Sequence, residues 1–361
     1  MPISGLSSVR DISTITVEGG IGLNRRIEQR RYRGASGGNR RVGRTLLALV
    51  LMGFVISVAV WRNSPSAPIL GPPTALPTAV VPTVTVQRGT PPARDPTPSP
   101  SRTGLAQTLG STVDQIIARY QPQGVTGVGL VIADGRAEDT IERNADTQFP
   151  AGSLYKLFLL WRTQVEIRQH KLFDDTELTL TAQNDDSEED GYSLGAYGDT
   201  VSVTDLRRLM ITASSNTAAQ VLGQYLGWGT VDQLLQAHGF TATVISGQAR
   251  TTPREVTRFF DGLVNRTLDP LLTPDDYALM LQLLKDQEVN TKLSTGLPDG
   301  TVFAHKTGDV PGAHNDAGVI FLPDGRVVAI TVMAMGDYDA SVQLQHDLAA
   351  LLWTGLSVSS A

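Results

Sequence analysis

Apolar positions recur at helical spacing from about residue 105 onward. Leu109, Val113, Ile116, Ile117 and Tyr120 fall on one face of a helix predicted over Ala106–Tyr120. The run Thr126–Ala133 then reads as a strand, Asp134-Gly135 as a hairpin turn, and Asp139–Arg143 as a second strand. Ser153–His170 carries the apolar stripe of a long helix, with further helices predicted over Asp205–Leu226, Arg254–Val264 and Asp275–Lys285. Toward the C-terminus the period shortens to that of strands, at Val302–Lys306, Ala317–Leu322 and Val327–Met333. Pro323-Asp324-Gly325 supplies the turn between the last two, and a helix over Val342–Trp353 closes the pattern. Strands, a helical middle, then strands and a helix do not alternate as βαβ units do. The expected class is therefore α+β: an antiparallel sheet flanked by helices, with a helical subdomain.

Before residue 105 the pattern is different. Thr45–Trp61 is a 17-residue run without charge between Arg44 and Arg62, near the short limit for a transmembrane helix. Residues 1–44 hold nine arginines against three acids, a net +6; the whole chain is −6, so the rest carries −12. The basic side of an apolar span faces the cytoplasm, which predicts a cytoplasmic arm (1–44), an anchor (45–61) and an extracytoplasmic remainder. A cleaved signal peptide is the alternative, and Arg40-Arg41 faintly resembles a twin-arginine signal, but no small-x-small site follows the run. Residues 62–102 contain 11 of the 20 prolines, so 62–104 reads as a stalk; 41 such residues reach about 130 Å when extended. The domain over 105–361 is acidic, and nucleic acid is excluded as a partner.

The chain has no cysteine, which removes disulfides, thiolate metal sites and a cysteine nucleophile together. Its five histidines are scattered, and the acidic run Asp185, Asp186, Glu188, Glu189, Asp190 lacks the spacing of a calcium loop. That run reads as a solvated loop, and no metal or cofactor is expected.

Lysine is scarce, at five residues, and two occupy conspicuous places. Ser153 and Lys156 stand three apart at a helix start, where a hydroxyl and an amine share a face. A hydroxyl needs a base to become a nucleophile, and a desolvated lysine can serve. Ser214-Ser215-Asn216 reads alone as a polar turn, and Lys306-Thr307-Gly308 alone as a solvated strand end. In this order the three motifs resemble the S-x-x-K, S-D-N and K-T-G set of class A β-lactamases and penicillin-binding proteins. FPAGSLYKL, EEDGYSL, LMITASSNTAA, RTTP and AHKTG with HNDAGVIFLPDG extend the resemblance over essentially all of 105–361.

The resemblance implies a β-lactamase/transpeptidase-like fold and an acyl transfer. Ser153 would attack a carbonyl, Lys156 would take its proton, and Ser214 would pass a proton to the leaving nitrogen. Asn216 would hold Lys156 and a substrate amide, and Lys306, Thr307 and Gly308 would bind the substrate carboxylate end. The backbone N–H groups of Ser153 and Asp309 would form an oxyanion hole. The implied substrates are a β-lactam ring or a D-Ala-D-Ala-like peptidoglycan amide.

Two departures qualify this. Ser215 stands where the family has Asp. Gly239–Pro253 contains no acid, although the class A loop in that region carries the Glu that activates the deacylating water. Glu255 follows at a helix start, where capping is the ordinary role; Ser246 and Gln248 are poor bases near neutral pH. Efficient β-lactam hydrolysis, a D-Ala-D-Ala peptidase or slow penicillin binder, and a non-catalytic wall-binding or sensing module on the same fold all remain open to the sequence.

Overall fold

The computed structural model describes residues 105–134, 140–187 and 193–358. The arm, the apolar run and the stalk lie outside them, as do Glu188, Glu189 and Asp190 of the acidic run. No helix among the described residues is long and apolar enough to cross a membrane.

The described chain opens with α1 (Leu105–Tyr120), β1 (Val125–Ala133), β2 (Thr140–Arg143) and β3 (Phe149–Pro150). A 3₁₀ turn over Gly152–Leu154 leads into α2 (Tyr155–Arg168). The hairpin strands β4 (Glu177–Thr179) and β5 (Thr200–Ser202) precede α3 (Val203–Thr212), α4 (Asn216–Leu226) and α5 (Trp228–Ala237). Then come β6 (Arg250–Thr251), α6 (Pro253–Val264), α7 (Pro274–Lys285), β7 (Val302–Val310), β8 (Ala313–Phe321), β9 (Val327–Gly336) and α8 (Tyr338–Val358).

The main sheet runs β2-β1-β9-β8-β7, antiparallel throughout, as expected of the α+β class. Strand alternation sorts its side chains onto two faces. Val328, Ile330, Val332 and Ala334 of β9 join Leu130 and Ile132 of β1 beneath α1 and α8, with Leu344 and Leu348. Ala329 and Met333 face the other way, into the core shared with the helical subdomain. Between them Thr331 meets Thr257 of α6 through a 2.8 Å hydroxyl–hydroxyl hydrogen bond.

Helix α2 runs through the middle of that second core and is buried nearly all round, so its apolar stripe understates its burial. Trp161 packs edge-on against Phe240, and Phe158 does so against both Phe240 and Phe259. The polar end of α2 is tied to α7. Asp276 accepts hydrogen bonds from Arg168 and Gln164 and from Thr273, whose capping box starts α7.

Three expectations are corrected here. The helix expected over Asp205–Leu226 is two helices, because Ser214 takes a left-handed φ of 58° and Ser215 restarts the chain as an N-cap, its Oγ accepting from Ala218 N–H at 3.2 Å. Ser153 lies in a 3₁₀ turn rather than on the α-helix. The K-T-G residues lie inside a nine-residue strand rather than at its end. Pairing with β8 continues through Val310↔Ala313, and buried polar side chains there mask the strand's apolar alternation.

Burial alone would push the Asp276 carboxyl up, but its Arg168, Thr273 and Gln164 donors together hold it below the ordinary carboxylate range. A lowered folded-state pKa contributes stability that is complete above the unfolded value of about 3.9 and is lost as pH falls through the folded one. Asp276→Asn is therefore expected to lose about 2 kcal/mol at pH 7. Urea melts at pH 7, 5 and 3 should show that gap narrowing in acid; a gap independent of pH would contradict the assignment.

Candidate active site

The first element of the site is the turn at residues 151–154. Ala151 N–H donates to Ala249 O at 2.9 Å, and Asn315 Nδ2 donates to Pro150 O at 2.9 Å and Ala151 O at 3.1 Å. Gly152 adopts a φ of +52°. A Cβ there would lie 2.6 Å from the Asp309 nitrogen, so only glycine allows β7 to come this close. From the other side, a Cβ on Gly308 would meet Ala151 O at 2.5 Å and Leu154 N at 2.9 Å. The backbones of Ser153 and Asp309 are thereby brought together. Ser153 is half-buried, and its Oγ makes no hydrogen bond to a described residue.

Lys156 sits in the first turn of α2 and is fully buried. Its Nζ donates to Ser214 O at 2.5 Å and Asn216 Oδ1 at 2.7 Å, and lies 3.4 Å from Ser214 Oγ. Lys306 reaches the same hydroxyl from β7, with Nζ 2.9 Å from Ser214 Oγ and 3.0 Å from Thr307 O. Two buried lysines thus converge on one serine oxygen. The Ser153–Lys156 contact expected from spacing is not among the described hydrogen bonds, in which the amine's partners are Ser214 and Asn216. Thr307 is buried, and its hydroxyl makes no hydrogen bond to a described residue.

Asp309 contributes its backbone to this cluster, and its side chain is held by partners of its own. One carboxylate oxygen pairs with Lys292 Nζ at 2.6 Å and the other with His314 Nδ1 at 3.0 Å. Burial alone would push this carboxyl up, but the Lys292 charge and the His314 hydrogen bond hold it below the ordinary range. Nothing local in the sequence signals this cluster, because Lys292 lies 17 residues before Asp309. Asn315, which clamps the turn, went without a role in the sequence for the same reason.

The loop before α6 is closed by a separate set of bonds. Glu255 accepts from Ala242 N–H at 2.9 Å and from the Thr243 hydroxyl, and Thr243 and Thr251 share a 2.7 Å hydroxyl–hydroxyl bond. Thr252 caps α6, its hydroxyl accepting from Glu255 N–H at 3.2 Å. Ser246 is bound to Asp232 of α5, while Gln248 is exposed near the loop tip. A cavity of about 180 Å³ opens between this tip, Tyr155 and Trp228. On the opposite side the described end of the acidic run reaches α4: Asp186 N–H donates to the Thr217 hydroxyl, next to Asn216. No group of side chains suited to a metal ion occurs among the described residues.

The left-handed backbone at Ser214 costs a non-glycine residue roughly 1–2 kcal/mol, a strain retained where two lysines need its oxygen atoms placed. Ser214→Ala and Ser214→Gly delete the same hydroxyl, yet only the second relieves the backbone. The glycine variant is expected to be about 1 kcal/mol more stable in urea melts. Equal stabilities would mean the turn carries no strain.

The sequence model of the β-lactamase enzyme family matches residues 108–356. β-Lactamase VEB-1 of Pseudomonas aeruginosa is 24% identical over 257 residues, covering 63% of this chain and 84% of that protein. A β-lactamase of Streptomyces cellulosae is 29% identical over 150 residues, 37% of this chain and 47% of its own length. Among solved structures, a leucine-to-glutamate mutant of PBP-A, captured as an acyl-enzyme complex with penicillin-G, has a TM-score of 0.62 at 22% identity and covers 69% of this chain and 97% of that one. A β-lactamase from Sphaerobacter thermophilus gives 0.61 at 23% identity, over 68% and 98%. At these identities the structural likeness speaks to fold. The match across 108–356 goes further, and by it this chain belongs to the β-lactamase enzyme family.

Proposed function

We propose that the protein is an extracytoplasmic serine hydrolase acylated at Ser153 by β-lactam rings or D-Ala-D-Ala-like amides. The observation that carries this reading is the convergence of Lys156 and Lys306 on Ser214 Oγ, with the half-buried Ser153 in the turn that leads into the helix of Lys156.

A neutral Lys156 amine has two N–H bonds and one lone pair. Ser214 O and Asn216 Oδ1 accept hydrogens from it, and the lone pair takes the Ser153 proton. Ser153 Oγ attacks the carbonyl carbon, and the N–H groups of Ser153 and Asp309 stabilise the oxyanion. As the C–N bond breaks, Ser214 passes its proton to the leaving nitrogen and recovers one from the lysines. Lys306 and the Thr307 hydroxyl, with Gly308 keeping the strand close, take the substrate carboxylate. Asn216 orients the substrate amide as well as Lys156.

Deacylation needs a base for water. Both Glu255 oxygens are engaged with the loop and Ser246 is bound to Asp232, so neither supplies one. This supports slow turnover, the behaviour of a penicillin binder, over efficient hydrolysis. Intact-mass spectrometry of the full chain with penicillin-G should show an adduct persisting for hours, absent from Ser153→Ala. A transient adduct with drug consumption would reverse the slow-turnover reading, and no adduct at any time would overturn the reaction.

The placement outside the membrane, tethered through 45–61, is part of the same proposal and rests on the charge asymmetry around that run. In a membrane fraction the full-length chain is expected to resist a high-salt wash and to be released by detergent. Release by salt alone would remove the anchor.

A further inference from the structure

Asp309 is the unusual residue of this site. An acid directly following Lys306-Thr307-Gly308 places a negative charge at the end of the strand that the proposed reaction uses to hold a carboxylate. Strand alternation puts Thr307 and Asp309 on one face of β7, on the order of 7 Å apart. Their cross-strand partners are Asp316 and His314. The segment carrying Lys292 lies against the same face, because Leu293 N–H donates to Asp316 at 3.1 Å. Lys292 is fully buried, and its ammonium lies 2.6 Å from the Asp309 carboxylate. A second cation therefore sits within a side chain's reach of Thr307, with its charge cancelled by Asp309.

We infer that Asp309 is a specificity-determining residue: its carboxylate neutralises Lys292, so that Lys306 and the Thr307 hydroxyl recognise the substrate carboxylate without a second positive charge. The inference rests on the acylation reading above and assigns a substrate class. The site takes singly charged acyl donors and penalises a masked carboxylate less than a pocket with two uncancelled cations would. Asp309 is not a candidate base for the missing deacylation step, since cationic or hydrogen-bonding partners hold both of its oxygens.

A unit charge about 7 Å from a carboxylate, at an effective dielectric constant of about 20, changes its binding by one to two orders of magnitude. The measurement is the rate of acylation of the full chain by penicillin-G relative to its methyl ester. Asp309→Asn removes one negative charge beside Thr307 and is expected to raise that ratio about tenfold or more. Adding Lys292→Met to Asp309→Asn removes one positive charge as well and should return the ratio to the parent value. Lys292→Met alone removes the lysine charge while His314 still holds Asp309, and should lower it. Asp309→Ser carries the same expectation as Asp309→Asn should the latter fail to fold. A ratio unmoved by Asp309→Asn, or still raised in the double variant, overturns the inference while leaving acylation intact.

A second readout separates the two readings. Binding of N-acetyl-D-alanine and of its amide, followed by NMR titration, requires no acylation. The acid is expected to bind Asp309→Asn about tenfold more tightly than the parent, with the amide unchanged. That result with no penicillin adduct would sink the reaction and keep the charge assignment. Equal affinities in the two proteins would sink the assignment.

Discussion

The close approach of β7 to the turn at Gly152–Leu154 is the constraint on which the rest of the site depends. Two glycines permit it, Gly152 by a left-handed backbone and Gly308 by the absence of a side chain against Ala151 O and Leu154 N. Asn315, from the neighbouring strand, fixes the turn from behind. Once the turn is held, α2 must begin at Tyr155, and Lys156 is carried into the core facing Ser214. Lys306 reaches the same hydroxyl because β7 is the edge strand and its alternate residues face the helical subdomain. A single backbone contact thus aligns three elements distant in sequence, at a cost borne by residues too small to make contacts of their own.

Buried charge is the second theme. Lys156, Lys292 and Lys306 are all fully buried, and such groups persist only where polar partners replace water. Their described partners differ in kind. Lys156 has a backbone carbonyl and an amide, Lys306 a hydroxyl and a carbonyl, and Lys292 a carboxylate. Among these described contacts, the Lys292 pair is the one between opposite charges.

Most of the architecture was legible in the chain. The apolar runs of β1 and β9, which are buried on both faces, and the apolar stripes of α1, α6 and α7 gave their elements directly. The places that misled are those where chemistry overrides pattern. Ser214 breaks a continuous helical stripe with a backbone conformation that no local residue signals. His305, Lys306 and Thr307, which are buried, and the half-buried Asp309 lie inside β7 but read as polar, since partners supplied from elsewhere cover them. Helix α5 was passed over because Gly227 and Trp228 follow α4 with no intervening polar segment. The catalytic candidates were visible through spacing and resemblance. The Lys292–Asp309–His314 cluster was not, because three segments meet there only after folding.

The loop between α5 and α6 has one more consequence. Its closing bonds, through Glu255, Thr243, Thr251 and Asp232, all lie at its base or flank, while Gly247 at the tip takes a φ of +86° with open space around it. Lengthening a loop at such a tip costs only about 0.6 kcal/mol for each doubling of its length. The fold can therefore accept extra residues there, provided that Ala249, whose carbonyl holds the Ser153 turn through Ala151 N–H, keeps its place. Evolvability is the term for this property: one exposed glycine at a loop tip is a place where new side chains can be added while the packed fold beneath is kept.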